Sequence, residues 1–125
     1  IPDNATILSA TLNLYFDYVF IGFPGGLSAR AEYYSAWPID EADYSFMAGN
    51  NAHAGTPLSS LARGAYHNFA LQNLGNISRT GYTGFRLSVS PPAHYYYDGS
   101  DGYSYRPYEH WAPMLPQLVV TYAVN

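Results

Sequence analysis

Apolar and polar side chains alternate along the first stretch of the chain, between residues 5 and 17. One face of this stretch carries Leu8, Ala10, Leu12, Leu14 and Phe16. The other face carries Ser9, Thr11, Asn13, Tyr15 and Asp17. Because successive side chains of a strand point to opposite sides, a period of two predicts a core strand of an antiparallel sheet, buried on one face.

Weaker alternation elsewhere predicts four more strands, over residues 27–35, 67–72, 83–90 and 117–123, and an extension of the first strand to residue 21. Residues 39–65 lose this periodicity, and there we expect a long loop with one helical turn at 56–61, capped by Thr56 with Pro57 in the first helical position. Short strands separated by turn residues predict an all-β, antiparallel jelly-roll β-sandwich with long aromatic-rich loops.

The composition predicts a surface that is buried in contacts with other molecules. Only 11% of the 125 residues are charged, whereas 18% are aromatic and 14 are tyrosine. A surface of Tyr, Ser, Asn and Gly suits extracellular recognition or subunit packing. The net charge is −4, and the only cationic residues are five arginines. They form no basic stripe along the chain, so the sequence does not predict nucleic-acid binding. No apolar run approaches the length of a membrane span.

The chain contains no cysteine, which excludes disulfides and thiolate chemistry. It begins at Ile1 rather than Met and shows no signal-peptide pattern. We therefore expect residues 1–125 to be a single β-sandwich module, either a processed piece or the C-terminal part of a longer protein. The expected location is extracellular: secreted, on a cell surface or on a virion surface.

Two acceptor sequons for N-glycosylation occur, at Asn4 and Asn76. One precedes the first strand and the other follows Gly75 in a predicted loop. In a secreted protein both positions are candidates for glycan attachment, although such triplets also arise by chance in chains rich in Asn, Ser and Thr.

The most distinctive candidate site is an aromatic loop between residues 93 and 116. Its candidate contact residues are Tyr95, Tyr96, Tyr97, Tyr103, Tyr105, Tyr108 and Trp111. Tyr and Trp rings stack on sugars and also anchor protein interfaces. Of these two alternatives, we favour a subunit contact over a sugar platform, because the chain has no lysine and few charges.

Metal binding and catalysis receive little support from the sequence. Asp98 and Asp101 could share one calcium ion, but Asp-Gly pairs are also ordinary turn formers, and residues 40–43 are expected to be a solvated acidic turn. The four histidines show no zinc motif, serine lies in no nucleophile elbow, and no carboxylate pair is fixed across a cleft. We expect a protein that is not an enzyme and needs no cofactor, with calcium as the one candidate ion.

Three segments resemble a known family. The opening IPDNATILSATLNLY, the middle YHNFALQNLGNISRTGYTGF and the ending LPQLVVTYAV resemble the DNRLRE-type domains, which are related to family 96 carbohydrate-binding modules. The resemblance implies a jelly-roll sandwich of the kind found in extracellular enzymes, cell-surface proteins and viral or filamentous surface structures, several of them associated with glycan binding. No catalytic residue carries over.

Together these features predict a structural module of an extracellular or virion surface assembly, such as a filament, shell or cell-surface layer. Its expected partners are copies of itself or adjacent domains of the same polypeptide. The alternative is a carbohydrate-binding module with an aromatic platform. The resembling domains place strand material before the opening segment, so we expect an open sheet edge filled by strand addition, unless residues 18–21 or the central loop close it.

Overall fold

The structure is a computed structural model that describes residues 1–20, 27–36, 38, 40–43, 50–90, 102–105 and 114–125. Seven strands lie in these ranges: β1 (Ala5–Phe20), β2 (Ser28–Tyr33), β3 (Asn51–Pro57), β4 (Ala65–Ala70), β5 (Phe85–Ser90), β6 (Gly102–Tyr105) and β7 (Gln117–Val124). Three short 3₁₀ turns complete the described secondary structure, at Glu41–Asp43, Leu58–Ser60 and Leu74–Asn76. The expected all-β class is confirmed.

The first sheet is built around β1. β7 pairs with β1 from Ala5 to Asn13, and β6 pairs with it from Phe16 to Phe20. β4 pairs with the stretch from Thr11 to Phe16 on the opposite edge of β1. All three pairings are antiparallel, so one long strand organises four of the seven described strands.

The second sheet has the order β3-β2-β5, and both of its pairings are antiparallel. Side chains from both sheets meet in one core cluster, which includes Leu14, Phe16 and Phe69 from the first sheet and Ala29, Ala31 and Tyr33 from the second. His53 of β3 joins the sheets: its Nδ1–H donates to the carbonyl of Ala70 in β4 at 2.8 Å, and its ring stacks on Phe69.

The alternation of β1 is confirmed over most of its length, since Ala10, Leu12, Leu14 and Phe16 are all buried. The assignment of Leu8 to the core is wrong, because its side chain is 58% exposed. A bulge between Ile7 and Ser9 leaves Leu8 without a partner in β7. One extra residue reverses the phase of alternation, so Ala5 is buried before the bulge and Ala10 after it.

Two strands lie where loops were expected. β3 occupies residues 51–57 within the predicted central loop, and β6 occupies residues 102–105 within the predicted aromatic loop. The predicted helical turn shrinks to the 3₁₀ turn Leu58–Ser60, and Thr56 does not cap it. Instead, Thr56 belongs to β3 and its hydroxyl hydrogen-bonds His53 Nε2 at 2.7 Å.

A close backbone approach at Gly84 yields a testable prediction. The Tyr34 N–H donates to the Gly84 carbonyl at 2.9 Å, and a Cβ on Gly84 would lie 2.0 Å from the Tyr34 carbonyl oxygen. Gly84→Ala therefore has to push the ends of β2 and β5 apart, and we expect a loss of stability of about 2 kcal/mol or more in urea unfolding.

Gly75→Ala is the matched control, because a Cβ there meets nothing within 4 Å. Its effect should stay within about 0.5 kcal/mol. Equal stability of the Gly84→Ala protein and the parent would show that the two strands can separate at this point without cost.

Candidate interaction surface

The core face of the first sheet continues onto β7, but there it is not covered. The register places Leu118 beside Leu12, Tyr122 beside Ile7 and Val124 beside Ala5. Cross-strand neighbours share a face of the sheet, so these three side chains point to the core side. Nevertheless, Leu118 is 38% exposed, Tyr122 43% and Val124 61%, whereas Leu12 and Ala5 are buried.

The opposite face of β7 is also apolar and exposed at Val119, which pairs with Thr11 and is 49% exposed. We define the β7 surface as Leu118, Val119, Tyr122 and Val124. A strand that is apolar on both faces normally has packing on both sides. On β7 only Val120 is partly buried, where it packs against the core cluster, and the other seven residues are exposed.

The outer edge of β7 carries no device that would block strand addition. Among the described strands, β7 pairs with β1 alone. Residues 117–125 contain no charged side chain and no proline, and the bulge lies in β1 rather than in β7. Natural proteins commonly protect an edge with lysine, proline or a bulge on the edge strand itself. Within the part of the chain that the structure describes, this edge is therefore open to another strand.

The terminal residues hold β7 in place despite this exposure. Asn4 Nδ2–H donates to the carbonyl of Asn125 at 3.0 Å, and Asn125 Nδ2–H donates to the Thr6 hydroxyl at 3.1 Å. These bonds fasten the end of β7 to the start of β1. The β7 surface is thus a defined feature of the first sheet rather than a frayed end.

Most of the aromatic site expected from the sequence lies outside the described residues: Tyr95, Tyr96, Tyr97, Tyr108 and Trp111. Tyr103 and Tyr105 belong to β6, where they pair with Val19 and Phe16. Whether this set binds sugars or a subunit stays a prediction. The possible calcium ligands Asp98 and Asp101 also fall outside, and the described residues hold no cluster of three or more His, Asp or Glu side chains.

Both sequon asparagines are exposed, at the surface of the described chain. Asn4 contacts Asn125 as described above, and Asn76 Nδ2–H donates to the Asn73 carbonyl at 2.9 Å. One of the two amide hydrogens of each side chain would have to give way to a glycan. Glycosylation of Asn4 and Asn76 stays a prediction.

The outer face of the second sheet is a second polar candidate. Arg86 Nε–H donates to Glu32 at 3.0 Å, its Nη2 makes a further ion-pair contact with the same carboxylate oxygen, and its guanidinium lies 4.9 Å from the centre of the Tyr34 ring. Arg30 donates to Asn51 Oδ1 at 2.8 Å. Both contacts cross between neighbouring strands of the sheet, and Glu32 is buried, so these groups are suited to joining strands rather than to holding a ligand.

Tyr33 of β2 points into the core, where its hydroxyl donates to the Gln72 carbonyl at 2.7 Å. Burial raises the pKa of this phenol, since the phenolate would lose its hydration. No nucleophilic or acid-base role follows from this position.

The sequence predicted the β7 strand but not its role as a surface. The available signal was the run Leu118-Val119-Val120 followed by Tyr122-Ala123-Val124, which is apolar on both parities. Such a run indicates a strand with cover on both sides, and the absence of that cover in the structure marks the site.

No matching protein was found among family sequence models, curated proteins or solved structures. The resemblance to DNRLRE-type domains therefore stays a prediction. Among the described residues, no helix has the length and apolar character needed to cross a bilayer.

Proposed function

We propose that this chain is a non-catalytic structural module of an extracellular or surface assembly that is held together by contacts between subunits. The observation that carries the proposal is the uncovered core face of β7, where Leu118, Tyr122 and Val124 continue the apolar face of β1. Contiguous exposed apolar residues on a soluble domain mark interaction sites.

The energetic argument rests on apolar area. Removing apolar surface from water stabilises an association by about 25 cal/mol per Å². The β7 surface offers four large apolar side chains on one continuous strand, and no charge between residues 117 and 125 opposes their burial. Only 11% of the residues are charged, which is in keeping with a surface that is partly buried in an assembly.

We further propose that the two sheets are the layers of a jelly-roll β-sandwich that works outside the cell. Supporting this are the shared core formed by both sheets and the resemblance of the opening, middle and closing segments to extracellular jelly-roll modules. In such a sandwich the second layer would need one more strand to cover β7.

The test is the mass of the purified chain over a concentration series, measured by sedimentation equilibrium or light scattering. We expect species heavier than the 13.8 kDa monomer, with their share rising with concentration. Tyr122→Ser should shift this equilibrium toward monomer, and the matched control Tyr82→Ser, which alters a fully exposed tyrosine away from β7, should not. A monomer at every concentration would overturn the proposal.

A further inference from the structure

We infer that the β7 surface binds a second copy of this chain, with the two β7 strands paired antiparallel about a two-fold axis at Thr121. This inference rests on the proposed function, since it names the partner of the surface proposed there. A two-fold contact requires a surface that is complementary to itself. The sequence of β7 meets that requirement.

Residues 117–125 read almost the same in chemical character from either end. With Thr121 opposite itself, Val120 faces Tyr122 of the other copy, Val119 faces Ala123 and Leu118 faces Val124. At the ends, Gln117 faces Asn125, so that amide meets amide. Every apolar residue therefore meets an apolar residue, and the two hydroxyls meet at the centre.

Both faces of the joined sheet stay consistent in this register. Leu118, Val120, Tyr122 and Val124 lie on the core side of β7, and pairing about Thr121 matches members of this set only with one another. The exposed core side of one copy thus continues into that of the other, and their apolar cross-strand pairs contribute roughly 0.2–1 kcal/mol each.

The backbone also permits this pairing. An antiparallel pair contains residues that exchange both hydrogen bonds and residues that exchange none, in alternation. A two-fold axis can pass through a pair of either kind. Whichever alternate residues of β7 direct their N–H and C=O groups outward, a pair centred on Thr121 therefore satisfies them in both copies.

Electrostatics favours a second copy over a charged partner. The chain carries a net charge of −4, yet residues 114–125 contain no Asp, Glu, Lys, Arg or His. Two copies can therefore approach each other through β7 without bringing like charges together. A strongly charged peptide would meet no opposite charges on this strand. An eight-residue strand is about 27 Å long, which makes strand pairing a contact of modest size beside the roughly 800 Å² per partner of a standard interface.

The first test uses the absence of cysteine. Thr121→Cys introduces the sole thiol of the chain at an exposed position on the proposed axis. Facing residues in an antiparallel pair have Cα atoms about 4.5–5.5 Å apart, within the range of a disulfide. Under mild oxidation we expect a disulfide-linked dimer as the main product.

Ser9→Cys is the matched control. Ser9 is exposed and pairs with Thr121 on the same face, but it lies one strand farther from the axis. Its two copies would be about 14 Å apart, too far for a disulfide. We expect only slow, concentration-driven cross-linking from this variant.

The second test places charges on the axis. Thr121→Lys and Thr121→Glu each place a charged side chain directly opposite the same charge in the second copy. Because like charges repel across paired strands, each variant should weaken self-association at least about fivefold. Mixing the two variants should restore association to the parent level or above, since each pair then joins opposite charges. Cooperative unfolding of both variants confirms that they fold.

Three results would overturn the inference. If the chain assembles but Thr121→Cys cross-links no faster than Ser9→Cys, the contact lies elsewhere, and the proposed function survives without this partner geometry. If the Lys and Glu variants associate like the parent, the same conclusion follows. A parent chain that remains monomeric at all concentrations removes both the proposed function and the inference.

Discussion

Phe69→Ala should lower the free energy of unfolding by about 3–5 kcal/mol, the usual loss when a large buried ring is removed. Phe69 lies in β4 of the first sheet and is fully buried. Its ring stacks on His53 of the second sheet at 4.8 Å and packs against Phe16 of β1 at 5.9 Å. The substitution therefore leaves a cavity where the two sheets meet. Urea unfolding followed by circular dichroism measures the loss.

Tyr82→Ala is the control for this measurement, because Tyr82 is fully exposed. Its effect should stay within about 0.5 kcal/mol. Similar losses for both variants would mean that the sheets do not pack through Phe69.

Glu32→Leu should cost about 3 kcal/mol or more, because it removes one partner of a buried ion pair. Glu32 is buried in β2, and its carboxylate accepts hydrogen bonds from Arg86 of the neighbouring strand β5. Without it, the partly buried guanidinium of Arg86 loses the carboxylate that its Nε–H and Nη2 contact. Urea unfolding at neutral pH provides the measurement.

The double variant Glu32→Leu/Arg86→Leu separates the net contribution of the ion pair to stability from the cost of removing only one of its members. Replacing both charges by apolar groups is often close to neutral, so the double variant should be more stable than Glu32→Leu alone. The single variant Arg86→Leu completes the cycle. A double variant whose loss equals the sum of the losses of Glu32→Leu and Arg86→Leu would show that the two residues are not coupled.

The strands that the sequence predicted are those whose own pattern decides their structure. β1, β2, β4, β5 and β7 alternate or form continuous apolar runs, and each was expected within a few residues of its range. β3 was missed because Asn51–Pro57 contains Gly, Pro and only alanine as apolar residues, which gives little intrinsic strand preference. Its strand is imposed by pairing with β2 and by the burial of Ala52.

Single-residue irregularities lie beyond the reach of a periodic pattern. Leu8 continues the alternation of its neighbours, and only the pairing with β7 shows that it is the extra residue of a bulge. Four-residue β6 is too short to show any period. Tertiary pairing, which the sequence does not display, decided both features.

The sequence led us to expect a surface suited to subunit contact, from the low share of charged residues and the many aromatic residues, and it placed that surface among Tyr95–Trp111. Most of those residues lie outside the described ranges, so their role stays a prediction. The described structure adds a second candidate surface that the sequence did not single out, at Leu118, Tyr122 and Val124. How far the second sheet extends over the first determines which apolar residues of β7 stay exposed, and no local pattern encodes that distance.

The central place of β1 also fixes the order in which the chain can fold. The first strand finds its longest partner at the far end of the chain, and the bond from Asn4 to Asn125 spans 121 positions. Contacts this distant in sequence form slowly, because a long loop must close first. At a synthesis rate of about 5–20 residues per second, β7 is made roughly 5–25 s after β1. A chain shortened before Gln117 would leave one apolar edge of β1 bare, as a ready target for chaperones and proteases.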